Sequence, residues 1–440
     1  MKILTKVAHA LQTVFCHHAE EVNRETRAVI RRRKFTPASL AESFILALLA
    51  KPEANGEDIA LMAAACGVNI SPQAVEQRYS PRLCDFFRVL LTKMVGMVIQ
   101  TDEAIAEILE RFTEVRLIDS SSIQLPDCME EEFPACGGRG SGGRSVMKLQ
   151  TELDLRGGQI TCIQPEPGKS PDQGTQRQTV TLPQGSLRIA DLGYFSISVL
   201  QTIQLAKAYY LTRLQHSIKI HVEQKKHSLV EWLNRQQTQV VDQMVELGSQ
   251  HRLSCRLIAW RVPPEIANRR RAKLRANALN KTGRQPSAAS LAACEWEFLV
   301  TNLTAEQLTI NEAIVLYRSR WQIELLFKRW KSYCQIDRLD GRTDIMTMTR
   351  FWARLCGAVV QHWLIVTTGW SPMLTLSFDK LAKLIPGIVS ELASNLKDVA
   401  QITTVLCKLK KQADIRCRRT KRKKRPGTIE LLRNPELLEY

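Results

Sequence analysis

The stretch Leu316–Ser332, LYRSRWQIELLFKRWKS, decides how this chain is read. Within it, Tyr317, Arg320, Glu324 and Lys331 follow the spacing Tyr-x2-Arg-x3-Glu-x6-Lys. On a helix turning about 100° per residue, these four side chains fall within roughly 60° of arc and spread over about 21 Å. Leu316, Ile323, Leu326, Phe327 and Trp330 form an adjoining apolar stripe. The spacing predicts one helix that packs along one side and presents a phenol, a guanidinium, a carboxylate and an ammonium beside it, with Lys328 close to the same polar face. A lone acid among cations suits the holding of a metal ion beside a polyanion. Glu324 and Lys328 also satisfy a plainer reading, an ordinary i,i+4 pair on a solvated face.

Two aspartates upstream have matching settings. Val115-Arg116-Leu117-Ile118-Asp119 reads as a short apolar strand ending in an acid, followed by the polar run Ser120-Ser121-Ser122. Leu187-Arg188-Ile189-Ala190-Asp191 repeats the pattern, and Ser196 then reads as the N-cap of a helix running to about Lys207. An acid where a buried strand emerges is where α/β folds place ligands, although Asp is also a common turn former and cap.

The spacing Tyr317-x2-Arg320-x3-Glu324-x6-Lys331 resembles the Y-R-E-K signature of the insertion-sequence family four transposases, bacterial enzymes with a DDE catalytic triad. Asp191-Leu192-Gly193-Tyr194 is similar to that family's second-aspartate motif. The resemblance spans about 113–338 and is most specific in 296–331. It implies that Asp119, Asp191 and Glu324 are both catalytic residues and metal ligands, holding two divalent ions, Mg²⁺ or Mn²⁺. Hard oxygen ligands suit those ions, and a pair about 4 Å apart can activate a nucleophile and stabilise the leaving oxygen of a phosphodiester. It further implies that Tyr317, Arg320 and Lys331 grip phosphates of the transposon end, and Lys328 and Arg213 join them as expected DNA contacts. Trp296 lies where hairpin-forming relatives carry a tryptophan that stacks on a flipped base. A core tryptophan on a half-buried strand reads equally well. The activity implied is metal-dependent cleavage and strand transfer. A catalytically idle DNA-binding derivative and a nuclease that never joins ends stand as alternatives.

Composition agrees with a polyanionic partner. Lys and Arg number 62 against 44 Asp and Glu, a formal net charge of +18. Lys408–Arg425 holds eleven Lys or Arg against one Asp and reads as a flexible arm on phosphates. A second patch, Arg269-Arg270-Arg271 with Lys273 and Arg275, sits in a helical stretch. The 12 cysteines show no paired metal-ligand spacing, so reduced thiols and no zinc are expected. Gly168-Lys169-Ser170 lacks the first glycine of a phosphate loop, and Gly138-x-Gly140-x2-Gly143 lacks strand–turn–helix context, so no nucleotide cofactor is expected. Trp352–Val366 is apolar but interrupted by Arg354, Gln361 and His362, and reads as a core helix. The expected setting is cytoplasmic, with no membrane span.

The fold class expected is α/β, a ribonuclease-H-like core with an inserted, mainly β subdomain and flanking helical regions. Residues 1–112 read as helical, with a run from Glu20 through Arg33 and a helix-turn-helix-compatible pair over Glu57–Arg78. Residues 113–214 read as the first part of the core, including a hairpin turning at Gly157-Gly158. The separation of 133 residues between Asp191 and Glu324 is too long for one compact connection, so 215–295 read as the insertion. The core then resumes over 296–340, followed by a helical region at 341–411 with a helix expected over 387–411, and a basic tail at 412–440. In relatives the C-terminal region pairs two protomers, so a homodimer on double-stranded DNA is implied.

Overall fold

Residues 2–136, 144–249, 252–370, 375–420 and 426–438 are described by the computed structural model. The chain divides into two compact units: Met1–Leu109, Asp119–Ser170 and Trp321–Lys424 form the first, and Glu110–Ile118, Pro171–Arg320 and Arg425–Tyr440 the second. These boundaries differ from a core, insertion and tail read in series.

Six helices open the first unit: α1 (Lys2–Gln12), α2 (Ala19–Thr26), α3 (Pro37–Ala50), α4 (Gly56–Ala65), α5 (Pro72–Glu76) and α6 (Pro81–Val95). The helix expected to run through Arg33 stops at Thr26. Arg27 takes a left-handed conformation, and the Asn23 side chain brackets the turn, accepting from the Val29 N–H at 2.7 Å and donating to its carbonyl at 3.1 Å. The α4–α5 pair forms as expected, with Ser71 capping α5 and Pro72 at its start, but α5 has only five residues.

Strand β1 (Val115–Gln124) contributes Val115–Ile118 to the second unit and Asp119–Gln124 to the first. It does not end at Asp119 as the serine run suggested; sheet pairing overrides the weak strand propensity of Ser120–Ser122. In the first unit it continues the order β3-β2-β1 with β2 (Val146–Asp154) and β3 (Ile160–Pro167), an antiparallel hairpin. The hairpin turns at Gly158, whose φ of +83° suits glycine; a Cβ there would come within 2.6 Å of the Trp370 ring. The glycine-rich run Gly138–Gly143 lies outside the described residues.

The second unit adds β4 (Leu187–Ala190), α7 (Ile197–Leu205), β5 (Tyr209–Arg213), β6 (Lys219–Val222), β7 (Lys225–Ser228), α8 (Leu229–Asn234), β8 (Val240–Leu247), β9 (Leu253–Arg261), α9 (Pro264–Thr282), α10 (Ala288–Ala293), β10 (Trp296–Thr301) and α11 (Ile310–Ser319). Its sheet runs β1-β4-β5-β10-β9-β8-β6-β7. β1, β4 and β5 are parallel; the pairs β5–β10, β10–β9, β9–β8, β8–β6 and β6–β7 are antiparallel. The 215–295 segment is therefore built as an extension of this sheet. One apolar cluster joins Leu200, Tyr210, Leu257, Trp296 and Val300, so the inserted strands share a core with β5 and α7.

Helices α12 (Trp321–Tyr333), α13 (Asp344–Gly369), α14 (Phe378–Leu384), α15 (Val389–Asn395) and α16 (Val399–Arg416) return to the first unit, where α13 packs against α3 and α6. The helix expected over 387–411 is two, because Asp398 caps a new start by accepting from the N–H groups of Ala400 and Gln401. Either side of Lys421–Arg425 the basic tail is helical, not the unpacked arm its charge suggested. Lys408–Arg416 is helical, and α17 (Thr428–Arg433) buries Ile429, Leu431 and Leu432 and packs on α11 in the second unit. Lys421–Arg425 lie outside the described residues. Among the described residues no helix is long and apolar enough to cross a membrane.

Candidate functional site

The signature stretch is two helices rather than one. α11 starts at a capping box: Thr309 Oγ1 accepts from the Glu312 N–H while Glu312 accepts from the Thr309 N–H at 2.8 Å. It ends where Arg320 N–H reaches back three residues to the Tyr317 carbonyl at 3.1 Å and the Ser319 hydroxyl donates to Leu316 O at 2.6 Å. That tighter turn breaks the regular register. Arg320 itself keeps helical dihedrals, φ −49° and ψ −32°, so the interruption is one residue long. Tyr317 belongs to α11, Arg320 follows its end, and Glu324, Lys328 and Lys331 lie on α12. The apolar stripe is as expected, with Leu316, Ile323, Leu326, Phe327 and Trp330 all buried.

In the second unit, Asp191 directly follows β4, and its backbone carbonyl accepts from the Tyr194 N–H at 3.0 Å. The Tyr317 hydroxyl donates to Asp191 Oδ1 at 3.0 Å, joining residues 126 apart in the chain. Tyr317 is buried, and that burial, ahead of any charge nearby, pushes its phenol pKa well above the usual value, so the group stays a neutral donor. The Arg213 guanidinium lies 5.4 Å from the Tyr317 ring centroid. Arg213 also faces Glu297 Oε1 at 3.6 Å, and Arg270 of α9 pairs with the same oxygen. A side-chain relay thus runs Arg270–Glu297–Arg213–Tyr317–Asp191. Sequence reading missed Glu297. Its signal was alternation: Leu299 lies opposite Arg213 in the β5–β10 register, and Glu297 is two residues along on the same face.

Trp296 is 2% exposed. Its Nε1 donates to Asn234 Oδ1 at 2.9 Å, and the Arg261 guanidinium covers the ring at 4.3 Å. As placed it is a core tryptophan; stacking on a base would require it to leave that packing.

In the first unit, Asp119 is half-buried in β1, and its Oδ1 accepts from the Ser120 N–H at 2.8 Å. Glu324 is half-buried in the first turn of α12, and Lys328 is exposed one turn on. Lys331 Nζ donates to Ser122 O at 3.3 Å, close to the Asp119 strand segment. Asp119, Asp191 and Glu324 offer only carboxylate oxygens, the donor set that hard divalent ions take. Among the described residues, no group of three or more His, Cys, Asp or Glu side chains is gathered to hold a metal ion.

Comparison with known proteins decides the family. The transposase DDE domain model matches residues 110–360, more than half of the chain. The chain belongs to the DDE transposase family. The transposase for insertion sequence element IS231F of Bacillus thuringiensis subsp. israelensis is 28% identical over 342 residues, covering 72% of this chain and 71% of that protein. The IS231B transposase of subsp. berliner is 27% identical, covering 72% and 70%. The IS1151 transposase of Clostridium perfringens is 24% identical over 340 residues, covering 71% and 70%. The matched span of this DDE transposase contains Asp119, Asp191, Tyr317 and Glu324.

Proposed function

We propose that this transposase cuts the ends of an insertion sequence and joins them to new DNA, with Asp119, Asp191 and Glu324 as the carboxylates that hold two divalent ions, Mg²⁺ or Mn²⁺. The observation that carries the reading is the Tyr317–Asp191 hydrogen bond. It brings two signature residues together at the end of a parallel strand, where open α/β sheets bind ligands. When bound, the ions supply the charge that activates water or a 3′-hydroxyl and stabilises the leaving oxygen. Tyr317 fixes one oxygen of Asp191 and so aims the carboxylate, as groups behind metal ligands do. Arg320, Lys328, Lys331 and Arg213 supply cationic donors for phosphates. Trp296 has no part in this proposal.

The strand orders β1-β4-β5 in one unit and β3-β2-β1 in the other support a ribonuclease-H-like core. Two ends must be joined in one complex, which favours a homodimer on double-stranded DNA, acting in the bacterial cytoplasm beside the nucleoid and without a nucleotide cofactor.

Supercoiled plasmid carrying the DNA that flanks this reading frame tests the proposal. Purified protein should nick at the element's ends with Mg²⁺ and fail with EDTA, and pre-cleaved ends should be transferred to a second plasmid. Nicking without transfer would make it a nuclease; binding without nicking would make it an idle derivative.

A further inference from the structure

Helix α9 is 19 residues long and leaves most of its described residues exposed. Ala267 is buried and Ile266, Arg270 and Arg271 are half-buried, and the last two pin the helix through ion pairs with Glu297 and Glu295. From Ala272 to Asn280 no residue is buried, and Leu279 is 57% exposed. The helix nevertheless ends cleanly, at Gly283 with φ +66° and its N–H on Leu279 O at 3.0 Å. Leu274 and Ala278 are half-buried on the side of Ala267 and Arg271, so the helix packs by a narrow stripe and turns its opposite face to solvent, open to something outside the protein.

Its charge says what. After Glu265 in the first turn, α9 carries no acid. Arg269, Lys273 and Arg275 are exposed and pair with no acid among the described residues, whereas Arg270 and Arg271 beside them do. Arg269, Lys273, Ala276, Asn277 and Asn280 recur at i, i+4, i+7, i+8 and i+11 and make one solvent-facing stripe about 16 Å long. Small and amide side chains between cations let a helix approach a nucleic-acid groove, cations taking phosphates and amides reaching base edges.

We infer that α9 docks on duplex DNA, and that the duplex is the transposon end being cut. The relay from Arg270 through Glu297, Arg213 and Tyr317 ties the helix to Asp191 within one unit, so the DNA it grips is the DNA offered to that carboxylate. This rests on the reading of Asp191 proposed above and extends it to how the substrate is held.

The experiment uses the full chain carrying Arg269→Ala and Lys273→Ala together, and a duplex spanning the DNA that flanks this reading frame. Binding is read by fluorescence anisotropy across a salt series. Each phosphate contact contributes about 0.9 to the slope of log affinity against log salt, so the slope should fall by about 2 and affinity at moderate salt by at least about tenfold. Arg269→Lys and Lys273→Arg together should keep the parent slope. An unchanged slope on the flanking duplex overturns the inference, and so does a loss confined to unrelated target DNA. Asp191→Asn run in parallel keeps the two claims apart. If it abolishes Mg²⁺-dependent nicking while the helix variant binds normally, the carboxylate reading stands and only the helix docking is lost.

Discussion

Two long helices use their cations in opposite ways. α13 places Arg354 in a core segment at 1% exposure, where its guanidinium donates to Pro52 O at 2.8 and 2.6 Å, to Arg338 O, and to Asp340 Oδ1 at 2.6 Å. α9 leaves Arg269, Lys273 and Arg275 in solvent, with no ion pair among the described residues. α12 repeats the contrast in adjacent positions, with Lys328 exposed and Arg329 buried over the Phe378 ring at 5.2 Å. Burial costs Arg329 enough to bring its pKa down to about 10. A charge that the fold already satisfies holds the protein together; one that it leaves open is free to serve a ligand.

The sharpest test of that division is an acid. Glu324 is half-buried on α12, and the proposal gives it to the ions rather than to the fold. Glu324→Gln should cut Mg²⁺-dependent nicking at least about a thousandfold, because the ions contribute several kcal/mol to the transition state. DNA affinity and the unfolding midpoint should stay within error of the parent. A large drop in midpoint would move Glu324 to the structural side of the comparison.

Arg354 should behave in the reverse sense. Arg354→Met fills similar space but takes the donor from the carbonyls of Pro52 and Arg338 and leaves Asp340 only its longer pairs with Arg350 at 3.6 Å and Arg338 at 3.8 Å. Breaking such a buried set costs about 3–5 kcal/mol. Urea denaturation should show that loss, with no change in the salt dependence of DNA binding at temperatures where the variant stays folded. A normal denaturation curve would break the comparison outright.

Buried acids extend it to pH. Glu42 on α3 is 4% exposed, and burial raises its carboxyl to about 7, with Lys397 and a Cys66 hydrogen bond pulling only partly the other way. Folded protein therefore holds that proton more tightly than unfolded chain. Its contribution to stability is largest below about pH 4.5, falls as pH rises to about 7, and is level above, a span of about 3 kcal/mol. Glu42→Gln should flatten that limb and make the protein more stable at pH 8, read as urea midpoints at pH 5 and pH 8. A limb that survives the substitution would assign the pH dependence to other groups.

Much of this was legible in the residues. Apolar periodicity gave the α12 stripe, turn chemistry gave the Gly157–Gly158 hairpin, and strand-then-acid patterning placed Asp191 after β4. The failures have a common physical origin. Propensity ended β1 at the serines, where sheet pairing continues it. Charge density made Lys408–Arg425 an arm, although Lys408–Arg416 continue α16; Lys421–Arg425 lie outside the described residues. One helical period was drawn across Ser319–Arg320, where a local three-residue turn interrupts it. Trp296 shows the limit most plainly, because a motif position does not reveal which neighbour, Arg261 or a base, covers the ring.

Tyr317 is the finest test, since it stands on both sides of the division. It is buried like a structural residue yet spends its hydroxyl on Asp191. The signature alone gave it a phosphate; the geometry gives it a carboxylate. Tyr317→Phe removes the donor and leaves the ring beneath Arg213. A group that orients a metal ligand affects metal affinity by about tenfold or somewhat more. Mn²⁺ affinity, followed by electron paramagnetic resonance on the full chain, should weaken by about that factor, and nicking should recover partly at high Mn²⁺. Affinity for the flanking duplex should hardly change. The opposite pattern, intact Mn²⁺ binding with weakened DNA binding, would return Tyr317 to the phosphates and leave Asp191 to be oriented by its own backbone turn.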